Sequence, residues 1–311
     1  MIFLKAGFFP AFFYSHIYQG GELMNKKIGI IGTGRLGINL LYYLIEKKVE
    51  ISGIFNSEQK TSEKTREITG AKIFSNMDEL VETSDIIFIT TPDDIIGNTA
   101  SAISKSEIKI RNKIFFHCSG SLPSTILLSL KNQGAYTASL HPLQSFAGLS
   151  SSKNPFRGII MGIEGDIEAV DAGKNLAIVL GSLPYTLKTE GKSLYHAAAV
   201  IASNYLVTLT DISLSFLEAA GIEKEKGLHI ITPLIKGTLE NIISKGTKKA
   251  LTGPVARGDS KTIESHRKAI FEKIPEMDTF YKIMCLHTVK IAKDAGYISI
   301  RDAENIHEVL K

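Results

Sequence analysis

The sequence predicts an α/β fold in two parts, a doubly wound sheet domain followed by a mostly α-helical one. Three observations point to it. From Lys27 to about Thr189, short β-branched runs alternate with amphipathic stretches. A glycine-rich turn, Gly32-Thr33-Gly34-Arg35-Leu36-Gly37, directly follows the first run and opens a stretch carrying Leu40, Leu41 and Leu44 at helical spacing. After Gly191 strand signals fade and helical spacing takes over.

The expected strands are 28–31, 49–55, 72–74, 85–90 and 113–117, then 136–140, 158–163 and 184–188, with a helix over 167–180. Ser150 to Pro155 reads as a surface loop within this region. Beyond it, helices are expected over 192–220, 226–244, 260–274 and 277–295, and a last one after Ser299, where Ser299 or Asp302 caps it. The domain limits follow as 24–189 and 190–311.

Composition bounds the function. A chain of 311 residues, 44% hydrophobic and 22% charged, buries a substantial core and has room for two domains. The net charge is only +4 and the basic residues are scattered, so no nucleic-acid partner is expected, while a small anionic ligand is compatible. Cys118 and Cys285 lie far apart with no CxxC spacing or His-Cys cluster, which predicts free thiols, a reducing cytoplasmic setting and no metal site. Residues 1–23 are apolar but interrupted by Pro10, lack a small-residue cleavage site and are too short to span a bilayer, so no membrane association is expected. Codons for Gly20-Gly21-Glu22 can spell a ribosome-binding sequence just before Met24, which makes Met24 the expected start and the leader not native to the fold.

The glycine turn has the context a dinucleotide site needs, strand before and helix after. Gly32 allows the tight turn, Gly34 lets backbone approach a pyrophosphate, and Gly37 lets the helix pack on the strand. The helix N-terminus then offers N–H groups and a positive dipole end to the phosphates. At the end of the second strand, where a carboxylate would receive a free ribose 2′-hydroxyl, the chain has Asn56-Ser57, with Arg35, Lys60 and Lys64 near in sequence. NADP(H) is therefore expected over NAD(H). Thr91 and Pro92 follow another strand end, on the carboxyl edge where ligands bind.

Four further strings occur in order: His117-Cys118-Ser119-Gly120-Ser121, His141-Pro142-Leu143-Gln144-Ser145-Phe146, Tyr195-His196-Ala197-Ala198-Ala199 continuing to Ser203-Asn204-Tyr205, and Leu251 to Asp259. From about Met24 onward the chain resembles the bacterial Rossmann-like proteins whose helical C-terminal half is a domain of unknown function. More distantly it is similar to the 6-phosphogluconate dehydrogenase, pyrroline-5-carboxylate reductase and ketopantoate reductase group. The resemblance implies NADP-linked oxidoreduction, a helical domain that closes over the nicotinamide, and a homodimer; it fixes no substrate.

On a helix, Lys192, His196, Val200, Ser203, Asn204, Val207 and Asp211 fall on one stripe, which predicts either a ligand cleft or a satisfied polar network. His196 suits a general acid, because imidazole titrates near neutrality, and Lys192 one turn earlier is the alternative donor. Asn204 and Ser203 are expected to orient the substrate, with Ser119 and His141 lining its site and Arg257 gripping a carboxylate in bidentate fashion. Familiar ketopantoate reductases place Lys and Asn one turn apart where this chain has Lys192 and His196. The expected reaction is NADPH-dependent reduction of a small carboxylate-bearing carbonyl compound, ketopantoate being the first candidate. A cyclic-imine reductase and a non-catalytic NADP(H)-binding redox sensor are the alternatives.

Overall fold

The computed structural model describes residues 25–311, and the readings of the leader and of Met24 as the start lie outside the described residues. The chain forms two compact units, one ending at Ser203 and the other running from Asn204 to Lys311. The division falls after the helix that follows Gly191, whereas the sequence reading put it at residue 189.

Chain order in the first unit is β1 (Ile28–Ile31), α1 (Arg35–Glu46), β2 (Ile51–Phe55), α2 (Gln59–Thr69), α3 (Met77–Glu82), β3 (Ile86–Ile89) and α4 (Asp93–Lys105). It continues through β4 (Ile114–His117), α5 (Leu128–Lys131), β5 (Tyr136–Pro142), β6 (Ile160–Gly165), α6 (Ile167–Leu180), β7 (Leu183–Thr186) and α7 (Lys192–Ala202). The strands form one sheet in the order β2-β1-β3-β4-β5-β6-β7. Every pair is parallel except β5 with β6.

Continuous apolar runs explain this arrangement. All residues of β1, β3 and β4 are buried, as a sheet covered on both faces requires. Leu40, Leu41 and Leu44 of α1 and Leu176 and Leu180 of α6 belong to one core cluster. Leu80 of α3, Ile96 and Ile103 of α4 and Leu130 of α5 belong to another. The strand expected at 72–74 reduces to a single bridge between Ile54 and Ile73. Buried Asn39 of α1 pins the loop after β5, its Nδ2 donating to the Gly148 carbonyl at 2.8 Å and its Oδ1 accepting from the Ser150 amide at 3.1 Å.

The second unit comprises α8 (Asn204–Ala219), α9 (Lys224–Ala250), α10 (Ser260–Lys273), α11 (Asp278–Asp294) and α12 (Ile300–Leu310). Val255, Ile263, Cys285, Val289, Ile306 and Leu310 form its core. The backbone of α9 leaves helical geometry at Gly246. Ser299 caps α12 in a reciprocal capping box with Asp302, so both residues expected at this cap take part.

The helix expected over 192–220 breaks at Ser203 into α7 and α8. By length and mean hydropathy of 1.4, the stretch Thr189–Ala219 could cross a membrane. Its Lys192, however, is buried in an ion pair with Glu164 of the sheet, and the segment carries Asp211 and Glu218 further on.

Candidate active site

Strand order reverses between β1 and β3, and the glycine turn leaves β1 at this crevice. Gly32 has a φ of +89°, and its backbone runs against Thr91, so only glycine fits. A Cβ on Gly37 would collide with the Gly32 carbonyl oxygen, which confirms the packing role of this glycine. Gly34 is different: nothing lies within 4 Å of where its Cβ would be, which leaves a cradle open to a pyrophosphate. Arg35 and Leu36 follow in the first turn of α1, Arg35 exposed and Leu36 packed against the core. Across the crevice, Thr91 Oγ1 is buried with no hydrogen-bond partner among the described residues, and Pro92 caps α4. These groups fit a dinucleotide.

Asn56 does more than the sequence suggests. Its Oδ1 accepts from the Thr33 amide at 2.6 Å and from Thr33 Oγ1 at 3.1 Å, and its Nδ2 donates to Ser62 Oγ at 3.0 Å. The carboxamide thus ties the glycine turn to α2. Ser57 is exposed beside it and lines a cleft of about 500 Å³, together with Gln59, Glu63 and Arg66 of α2. Lys60 and Lys64 do not line this cleft; the helical spacing 59, 62, 63, 66 brings Arg66 there instead.

A second cluster forms where β4, β5 and α7 meet. His117 ends β4, His141 lies near the end of β5, and Tyr195 and His196 lie on α7. Gly120 sits between them: a Cβ there would collide with His196 Nδ1 and stand 2.8 Å from His141 Nε2. The two rings meet edge to face with centroids 5.9 Å apart. His196 Nδ1 is buried with no partner among the described residues. His141 Nδ1 lies 3.4 Å from Tyr195 Oη.

Burial pushes His141 down to about 4, and the Lys192 and His196 side chains add to the effect. Fully buried His117 is pushed down to about 3, again by burial first and Lys192 second. Its Nδ1 accepts from the Ser119 amide at 3.3 Å, which leaves the proton on Nε2. Cys118 is driven up to about 12 by burial and is inert as a nucleophile.

Lys192 is 1% exposed, and its ammonium lies 3.3 Å from Glu164 Oε1 and donates to Ser139 Oγ. Burial lowers its pKa and the Glu164 carboxylate opposes that. Glu164 also accepts from the Ser124 amide and hydroxyl at 2.7 Å each and from Thr189 Oγ1 at 3.1 Å. This hub joins β5, β6, the loop after β4 and the start of α7. Helical spacing revealed Lys192 and His196 as a polar pair but not the carboxylate from β6 that engages the lysine.

The remaining expected residues are spread out. Ser119 Oγ donates to Asp93 Oδ2 at 2.7 Å and accepts from the Ser121 and Leu122 amides, so its hydroxyl organises the loop. Ser203 is exposed at the helix break, and Asn204 is exposed at the start of the second unit. Arg257, also in the second unit, is exposed and has no ion-pair partner among the described residues; Asp259 instead caps α10 by accepting from Thr262.

Fold and glycine turn together define a Rossmann-like dinucleotide-binding unit followed by a helical C-terminal unit. Two stretches match family models: residues 27–111 match "NADP oxidoreductase coenzyme F420-dependent", and residues 159–288 match a "Domain of unknown function (DUF2520)". The match of residues 27–111 to an NADP oxidoreductase family makes NADP the cofactor. No curated protein matches the chain. Among solved structures, protein TM1727 of Thermotoga maritima is 27% identical with a TM-score of 0.68, covering 86% of this chain and 98% of its own. A Bacteroides fragilis protein, BF3122, described as a candidate NADP oxidoreductase, is 20% identical with a TM-score of 0.70, covering 86% and 99%. The pyrroline carboxylate reductase of Plasmodium falciparum, solved with NADP bound, is 14% identical with a TM-score of 0.52, covering 87% and 99%.

Proposed function

We propose that this chain is an NADPH-dependent reductase of a small carboxylate-bearing carbonyl compound, a 2-oxo acid, for which ketopantoate is the first substrate to test. The observation that supports the reading best is the convergence of His141 and His196 on Gly120, at the carboxyl edge of the sheet that also holds the glycine turn.

When bound, the reduced nicotinamide supplies the hydride. His196 gives the proton to the developing alkoxide. Lys192 is committed to Glu164, so its part is to hold α7 in place. Ser203 orients the substrate in this reading. The protein works as a cytoplasmic homodimer in this reading: α9 leaves Leu234 and Ile243 71% and 75% exposed, apolar surface that a second copy covers.

An NADPH-oxidation screen against 2-oxo acids and cyclic imines tests the proposal. Turnover of a 2-oxo acid supports it, and NADPH binding without turnover of any compound would favour a redox sensor instead.

A further inference from the structure

The glycine turn and α2 meet through three buried hydroxyls and one carboxamide. Thr33, Ser62 and Thr65 are 5%, 2% and 2% exposed. Thr33 Oγ1 lies 2.8 Å from Thr65 Oγ1, which donates to the Thr61 carbonyl at 2.8 Å. Asn56 accepts from Thr33 on one side and donates to Ser62 on the other. Both lone pairs of its Oδ1 are taken by the Thr33 amide and hydroxyl, so no acceptor is left there for a free ribose 2′-hydroxyl. Arg66 follows Thr65 in the same helix and is the one cation among the residues lining the cleft of about 500 Å³ at the end of β2. The one carboxylate of that lining, Glu63, is engaged by Gln59 Nε2 at 2.8 Å. We propose that Asn56 is a positioning residue: it holds α2 to the glycine turn, so that Arg66 meets the 2′-phosphate of NADP(H) while the turn holds the pyrophosphate.

Two phosphate groups of one dinucleotide are then read by two elements, and both contacts form at once only if the separation of those elements is fixed. A guanidinium on a long, exposed side chain gains little from a phosphate when the helix beneath it must be ordered first. A helix already tied to the turn avoids that cost. Arginine suits the contact, because its planar fork matches phosphate oxygens in bidentate fashion. Asparagine suits position 56, because one carboxamide accepts from the turn and donates to α2. A carboxylate there would accept but not donate, and it would set a negative charge beside the 2′-phosphate.

Binding alone tests this, with no substrate and no turnover, so the outcome is independent of the reductase reading. Calorimetric titration of the full chain with NADP⁺ and NAD⁺, which differ only in the 2′-phosphate, measures the preference. Arg66→Ala should lose about tenfold of it, as expected for one hydrogen-bonded charge pair. Asn56→Ala, which removes no group that contacts the cofactor, should weaken NADP⁺ by about tenfold and NAD⁺ by less than about threefold. The double variant should prefer NADP⁺ no less than Arg66→Ala alone, because Asn56 acts through the helix that carries the arginine. If Asn56→Ala fails to fold, Thr65→Val, which cuts the link between Thr33 and α2 and keeps the side-chain shape, should show the same pattern. Equal losses on both dinucleotides would make Asn56 a support of the turn alone and overturn the proposal, as would additive losses in the double variant. A preference unchanged by Arg66→Ala, or lost in Lys60→Ala or Lys64→Ala, overturns the assignment of Arg66.

Discussion

Single glycines in this chain carry separable duties. Gly34 faces open space and Gly37 faces a backbone oxygen, though both belong to one motif. Gly34→Val should thus leave the thermal midpoint within a degree or two while abolishing dinucleotide binding, because the branched side chain fills the pyrophosphate cradle. Gly37→Ala should instead destabilise the fold by about 1–3 kcal/mol through overpacking. Calorimetric titration and thermal melts of both variants check the contrast; equal effects of the two would contradict it. At the other end of the cofactor, no carboxylate ends β2, and Ser57 and Arg66 line the adjoining cleft. NADPH should therefore bind more tightly than NADH, and Arg66→Ala should narrow the difference.

At the scale of elements, α7 is held to the sheet by the buried pair of Lys192 and Glu164. Removing one partner strands the other charge, so Lys192→Met should cost about 3–5 kcal/mol, measured by denaturant unfolding. Combining it with Glu164→Gln removes both charges and should recover most of that loss. If the single variant unfolds no more easily than the native chain, the pair does not anchor the helix.

Legibility in the sequence follows the same scale. The glycine turn is contiguous, and its strand and helix adjoin it, so local pattern sufficed to find it. The helix cap at Ser299 was equally local. The Gly120 cluster was not, because its members come from β4, β5 and α7, and no periodicity links residue 120 to residues 141 and 196. Strand 72–74 was overcalled since β-branched propensity reports apolar packing, not ladder length. The break at Ser203 was missed because an apolar 31-residue stretch with helical spacing carries no glycine or proline at the break.

Across the whole molecule, one buried and one partly buried imidazole make stability depend on pH. His117 and His141 fold with values near 3 and 4, below the 6.5 of a free imidazole. Between those limits the unfolded chain holds protons that the folded chain refuses, so acidification favours unfolding. Their contribution is fully present above pH 6.5 and declines as pH falls toward 4, by up to about 1.4 kcal/mol per pH unit for each histidine. Thermal melts from pH 7 to pH 4 should show the fall, and His117→Gln should flatten it. A midpoint insensitive to pH over that range would mean that the imidazoles are not held in the buried, uncharged state.

In the proposed reaction the substrate is reduced beside His141 and His196, the pair that packs on Gly120. The most direct measurement is the rate of NADPH oxidation with a 2-oxo acid by the native chain and by His196→Ala, with NADPH affinity measured alongside. Turnover by the native chain and a loss on the order of 10²–10⁴ in the variant at unchanged NADPH affinity are expected. A variant as fast as the native chain would contradict the proposed reaction.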